Sequence, residues 1–122
     1  MKHKNTDHKM EKFTPEILQR VYDFTVFIYP MLENFKRSET HTSAAEIKRT
    51  CFNLMRLISH ANSSEDKVKQ LRVVDDELKV LRCQIRLVCE LKFLAIPQYG
   101  ACCKRIEEIG RMLGGWIKHA SR

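Results

Sequence analysis

The sequence predicts an all-α protein, an antiparallel up-down-up-down four-helix bundle. Three observations predict it. Apolar residues recur at three- and four-residue spacings in four successive stretches. Gly and Pro are scarce, 4 and 3 of 122 residues, which excludes a turn-rich β-sandwich or barrel. The connections between the stretches are short, and short connections make consecutive helices antiparallel neighbours.

The first helix is expected to open at Thr14-Pro15-Glu16, with Thr as N-cap, Pro where its missing N–H costs nothing, and an acid in the first turn. Residues 1–12 are then a mobile basic tail, and residues 13–122 form one bundle domain. Ile17, Val21, Phe24, Ile28, Leu32 and Phe35 mark one helical face. Pro30 lies inside that pattern and removes a backbone donor, so a kink or local loosening is expected there. The polar run Lys36–Thr42 is the first loop.

The second helix is expected from a capping box, Ser43-Ala-Ala-Glu46, with Ile47, Cys51, Leu54, Ile58 and Ala61 as its apolar stripe. Asn62-Ser63-Ser64 ends it, and Ser64 before Glu65 and Asp66 caps the third helix. Leu71, Val74, Leu78, Leu81, Ile85 and Val88 alternate spacings of three and four, the seam of a bundle. That helix should run to about Leu94 and stop before Pro97. The fourth begins near Pro97, with Tyr99, Cys102, Ile106, Ile109, Leu113 and Trp116 on its buried face.

Composition narrows the function. At 122 residues one core suffices without staples. An apolar share of 43% excludes a disordered chain, and no uncharged stretch approaches the ~20 residues that span a bilayer. No signal peptide is visible, and the five cysteines (Cys51, Cys83, Cys89, Cys102 and Cys103) show no CxxC spacing, so reduced thiols in the cytoplasm are expected. Phosphate-loop, HExxH and GxSxG motifs are lacking. No Glu stands three residues before His60 or His119, as a di-iron bundle would require. The chain is therefore expected to have no catalytic residues, no metal and no cofactor. Asp75-Asp76-Glu77 is expected to be a solvated turn, Cys102 core filler and Cys103 a bystander.

The basic residues carry more. A formal charge of +7 calls for an acidic partner or surface. On the third helix Arg72, Lys79 and Arg86 recur every seven residues, and Arg82 widens the stripe. The fourth helix adds Lys104, Arg105 and Arg111, and the second adds Lys48, Arg49 and Arg56. Arg forks onto phosphate oxygens and stacks on bases, which suits RNA or single strands. A merely solvated face gives the same pattern. Tyr22 and Tyr29, seven apart, suit stacking platforms, a subunit contact or the core edge. Gly110 and Gly114 share one side of the fourth helix, so either another backbone approaches closely there or the helix is ending.

The segment Ile109-Gly110-Arg111-Met112-Leu113-Gly114-Gly115-Trp116-Ile117-Lys118 resembles the ending of the accessory variability determinants (Avd-like proteins) of diversity-generating retroelements. Tyr29-Pro30 with Phe35-Lys36, the run Leu71–Arg82 and Tyr99 agree in order, so the resemblance covers about residues 13–119. Phe35-Lys36-Arg37 departs from a frequent Phe-Pro-Lys of the family.

The resemblance implies a barrel-like homopentamer of bundles. It implies binding to a reverse transcriptase and its structured template RNA, in support of mutagenic complementary-DNA synthesis. Beside the resemblance, Gly110 and Gly114 are expected to let the fourth helix pack closely and Trp116 to anchor the end of the bundle. The wider superfamily includes bundles encoded in intervening sequences of ribosomal RNA genes. A general RNA-binding or protein-interaction scaffold of that type is the alternative.

Overall fold

The four apolar stripes become the four inner faces of a bundle. A computed structural model of the chain describes the backbone of residues 3–122 and the side chains of residues 16–122. The helices are α1 (His3–Glu33), α2 (Ser43–Ser63), α3 (Lys67–Glu90) and α4 (Ile96–Ala120), with one 3-10 turn, Arg37–Glu39, in the first connection. There is no strand among the described residues. Each helix packs on its neighbours in the chain, and α4 closes the ring on α1, while α1 and α3, and α2 and α4, lie across the diagonals.

Every stripe residue named from the sequence is buried except Tyr99, which is half-buried at the edge of α4. Trp116 is 0% exposed and fills the far end of the bundle. Full burial of one such side chain contributes about 1.5–3 kcal/mol, so the stripes dominate the fold. Two buried polar groups are satisfied locally: the Thr25 and Thr50 hydroxyls donate to the Val21 and Glu46 carbonyls at 2.8 and 3.0 Å.

The helix ends differ from the sequence expectation at four places. The backbone of α1 is helical from His3, so Thr14-Pro15 does not start it. The stretch ahead of Pro15 contains no Gly and no other Pro to stop a helix. The expected tail, residues 1–12, lies outside the residues whose side chains are described. At α2 the N-cap is Thr42 rather than Ser43. The expected capping box does not form, because Glu39 draws both hydroxyls: Ser43 donates to its carboxylate at 2.7 Å and Thr42 at 3.2 Å.

At α3 the cap is Asp66 rather than Ser64, its carboxylate accepting from the Lys69 N–H at 3.1 Å. An ionised acceptor at the positive helix end outcompetes a hydroxyl. Finally, α3 stops at Glu90, short of Leu94. The Phe93 N–H turns back to the Val88 carbonyl at 2.9 Å and the Lys92 N–H to Cys89 at 3.0 Å, with Lys92 left-handed at φ 68°. This is a Schellman stop built on a non-glycine residue. It seats Leu94 in the core, 2% exposed, ahead of Pro97. Pro30 is accommodated one turn before α1 ends, and Val26, whose carbonyl its missing N–H would have served, is on the exposed side.

Candidate nucleic-acid interface

The α3 and α4 helices run side by side, and their exposed surfaces carry much of the basic set, with Arg82 and Arg86 at the shared edge. Arg72, Lys79, Arg82 and Arg86 are all exposed on α3, and Lys104 and Arg111 are exposed on α4. Helical spacing explains the alignment. Arg82 and Arg86 are four apart and stand on the α4 side of the Leu78–Ile85 seam, while Lys104 and Arg111, seven apart, share the outer face of α4.

Ion pairing divides these cations. Lys79 meets Asp75 at 3.4 Å and Arg86 meets Glu90 at 3.1 Å, both within α3. Glu90 holds the Arg86 guanidinium above its ordinary pKa, first by hydrogen bonding and then by charge. Such exposed pairs are worth little and release their cation readily to a phosphate. Arg72, Arg82, Lys104 and Arg111 have no carboxylate within ion-pair distance among the described residues. Arg82 stands at the α3–α4 groove, whereas Arg111 lies toward α1, in a shallow cleft with Glu16, Arg20, Glu108 and Met112.

Three sequence candidates lie elsewhere. The Arg105 guanidinium sits 3.9 Å from the centre of the Phe27 ring, on the α1 side of α4. Lys48 bridges to Glu33 and stands 4.6 Å over the Tyr29 ring, tying α2 to α1. Tyr29 is thereby covered by a cation rather than open for stacking, whereas Tyr22 is 55% exposed. The acidic turn also splits: Asp75 holds Lys79, and Glu77 accepts from Asn53 of α2 at 3.2 Å.

The two glycines have different surroundings. A Cβ on Gly110 would stand 2.6 Å from Arg82 Nη2 and 3.7 Å from Leu78 Cδ2, so the close approach at Gly110 is that of an arginine side chain. At Gly114 nothing lies within 4 Å.

Between the two helices lies a groove of about 230 Å³, lined by Arg82, Cys83, Ile85 and Arg86 from α3 and by Tyr99, Cys103, Ile106 and Glu107 from α4. Ile85 and Ile106 are its buried floor. The Tyr99 phenol is held above its usual pKa, first by its hydrogen bond with the Cys103 thiol and then by the charge of that thiol. Sequence reading assigned no role to Cys83, Cys103 or Glu107. The available signal was the spacing of 99, 103 and 107, one α4 edge four residues apart.

The family model described as bAvd-like matches residues 16–120, which takes in all of α2, α3 and α4 and the described side chains of α1. The chain belongs to the bAvd-like family. No curated protein matches it. The groove and the free cations of this bAvd-like bundle therefore all lie within the matched region.

A second surface of this bAvd-like chain is apolar. Val73, Val80 and Leu87 recur every seven residues on α3 at 39%, 45% and 51% exposure, and Leu91 extends the row. Tyr22 and Val26 form a shorter exposed strip on α1. None of the described helices is long and apolar enough to cross a membrane.

Proposed function

We propose that this bAvd-like protein is a non-enzymatic, nucleic-acid-binding accessory subunit that holds a reverse transcriptase and its template RNA during mutagenic complementary-DNA synthesis. One observation carries the nucleic-acid part. Four cations without carboxylate partners among the described residues, Arg72, Arg82, Lys104 and Arg111, are exposed on α3 and α4, and Lys79 and Arg86 join them through weak surface pairs. Phosphate backbones are bound by such arrays, at an affinity that falls steeply with salt. Membership of the family supports the reverse transcriptase as the protein partner and the cytoplasm as the place of action.

The exposed apolar row on α3 and the strip on α1 support self-association. The two strips differ, so their pairing would be head-to-tail, the kind of contact that closes into a ring. A pentamer fits that reading, and each added subunit multiplies the positive face.

The apolar row equally favours a second reading, a bundle of the ribosomal intervening-sequence type that serves as a general scaffold. Binding assays with purified protein separate the two. A structured RNA bound at low salt, with affinity falling by orders of magnitude toward physiological salt, supports the accessory subunit. Tight binding of an acidic protein partner with no RNA affinity of the chain itself supports the scaffold.

A further inference from the structure

We propose that the groove between α3 and α4 is a pocket for a single unpaired nucleobase, its backbone phosphates resting on Arg82 and Arg86. The proposal rests on the nucleic-acid reading above and adds how the face distinguishes single strands from duplex.

The chemistry of the lining selects the ligand. The volume, about 230 Å³, lies below the range of about 300–1,000 Å³ typical of larger small-molecule sites. Ile85 and Ile106 give an apolar floor for a flat ring. Tyr99 on the α4 wall is a stacking surface for a base, and the Arg82 and Arg86 guanidiniums stand at the α3 wall for its phosphates. Glu107 stands among them as an acceptor. A bare phosphate meets the arginines but brings no donor for that carboxylate. A nucleotide satisfies both, because the amino edge of a base donates to Glu107 while its phosphate lies outside on the arginines.

Gly110 completes the site. Because no Cβ stands there, the Arg82 side chain lies down across α4 and its guanidinium stays at the rim of the groove. Any side chain at 110 meets Nη2 and lifts it away.

Cys83 and Cys103 line the pocket and are native reporters of what fills it. The experiment uses the full chain at low salt with two probes, a ten-nucleotide oligoadenylate and an abasic strand of equal length. Binding is followed by fluorescence anisotropy. Maleimide labelling is followed by mass spectrometry, with free glutathione in the same solution as reference. At saturation the oligoadenylate should slow labelling of Cys83 and Cys103 at least tenfold and the abasic strand less than twofold. Tyr99→Ala, its fold checked by circular dichroism, should weaken oligoadenylate about fivefold and leave the abasic strand unchanged. Equal protection by both bound strands, or protection by neither, overturns the pocket and leaves the phosphate-binding face standing. Binding of neither strand, nor of any structured RNA, overturns the nucleic-acid reading and the pocket with it.

Discussion

Arg82 of α3 lies across Gly110 of α4, so close that a Cβ at 110 would stand 2.6 Å from the guanidinium nitrogen. The contact is with the far end of a flexible side chain, so it constrains the arginine more than the helix. Gly114, one turn on, has open space around it. Replacing an interior helical Gly by Ala gains about 1 kcal/mol in helix propensity. Gly114→Ala should therefore raise the melting temperature and leave RNA affinity unchanged. Gly110→Ala should gain less than that and lose affinity. If the two variants are indistinguishable in both measurements, Gly110 has no special relation to Arg82.

Lys92 holds the left-handed position of the α3 stop, φ 68°. A non-glycine residue there costs about 1 kcal/mol against Gly. Lys92→Gly should stabilise the fold by about 0.5–1 kcal/mol in a urea titration at unchanged m-value. A destabilised variant would show that the Lys92 side chain contributes more than its backbone costs.

Asp66 caps α3 with its carboxylate on the Lys69 N–H. Asp66→Ala should cost about 1 kcal/mol and Ser64→Ala much less. The reverse order in chemical denaturation would return the cap to Ser64.

Cys51 and Cys102 are 0% exposed, and burial pushes each thiol from 9.0 to about 11. For Cys51 the hydrogen bond to Thr25 opposes the shift, and for Cys102 the neighbouring Cys103 adds to it. The folded state thus keeps its thiol protons where the unfolded chain has lost them. Stability from this source is fully present below pH 9 and drains away as pH rises toward 11. The slope approaches about 1.4 kcal/mol per pH unit for each thiol. Thermal melts should show this loss in the wild type and less of it in Cys51→Ala. At pH 8 iodoacetamide should modify exposed Cys83 and spare Cys51 and Cys102.

Much of the fold is legible in the chain because burial obeys helical spacing. The Leu71–Val88 seam and the Cys102–Trp116 stripe could be read directly, since each apolar residue falls on one face. Helix ends were less legible. Ser43-Ala-Ala-Glu46 has the form of a capping box, but Glu39, from the preceding turn, reaches both hydroxyls first. A local motif is read without the competitor that the loop brings to it.

The site follows the same division. Arg82 and Arg86 were visible as a stripe along α3. Which neighbour each cation would meet was not, because that depends on how the helices rotate against one another. Arg105 and Lys48 look like Arg82 in the sequence, yet one rests on Phe27 and the other on Tyr29 and Glu33. The groove was invisible for a related reason. Its walls come from two helices, and Cys103 and Glu107 acquire a role only beside Arg82 and Arg86. The row Val73, Val80 and Leu87 was hidden by the stronger core seam on the same helix.

The exposed cations of α3 and α4 are proposed to hold nucleic acid. The most direct measurement is the salt dependence of RNA binding for the wild type and for a variant with Arg72, Arg82, Lys104 and Arg111 all changed to Gln. Each phosphate contact contributes about 0.7–0.9 to the slope of log affinity against log salt. Loss of four contacts should therefore lower the slope by about 3 and weaken binding at least a hundredfold, with the helical spectrum unchanged. An unaltered slope and affinity in a folded variant would contradict the account.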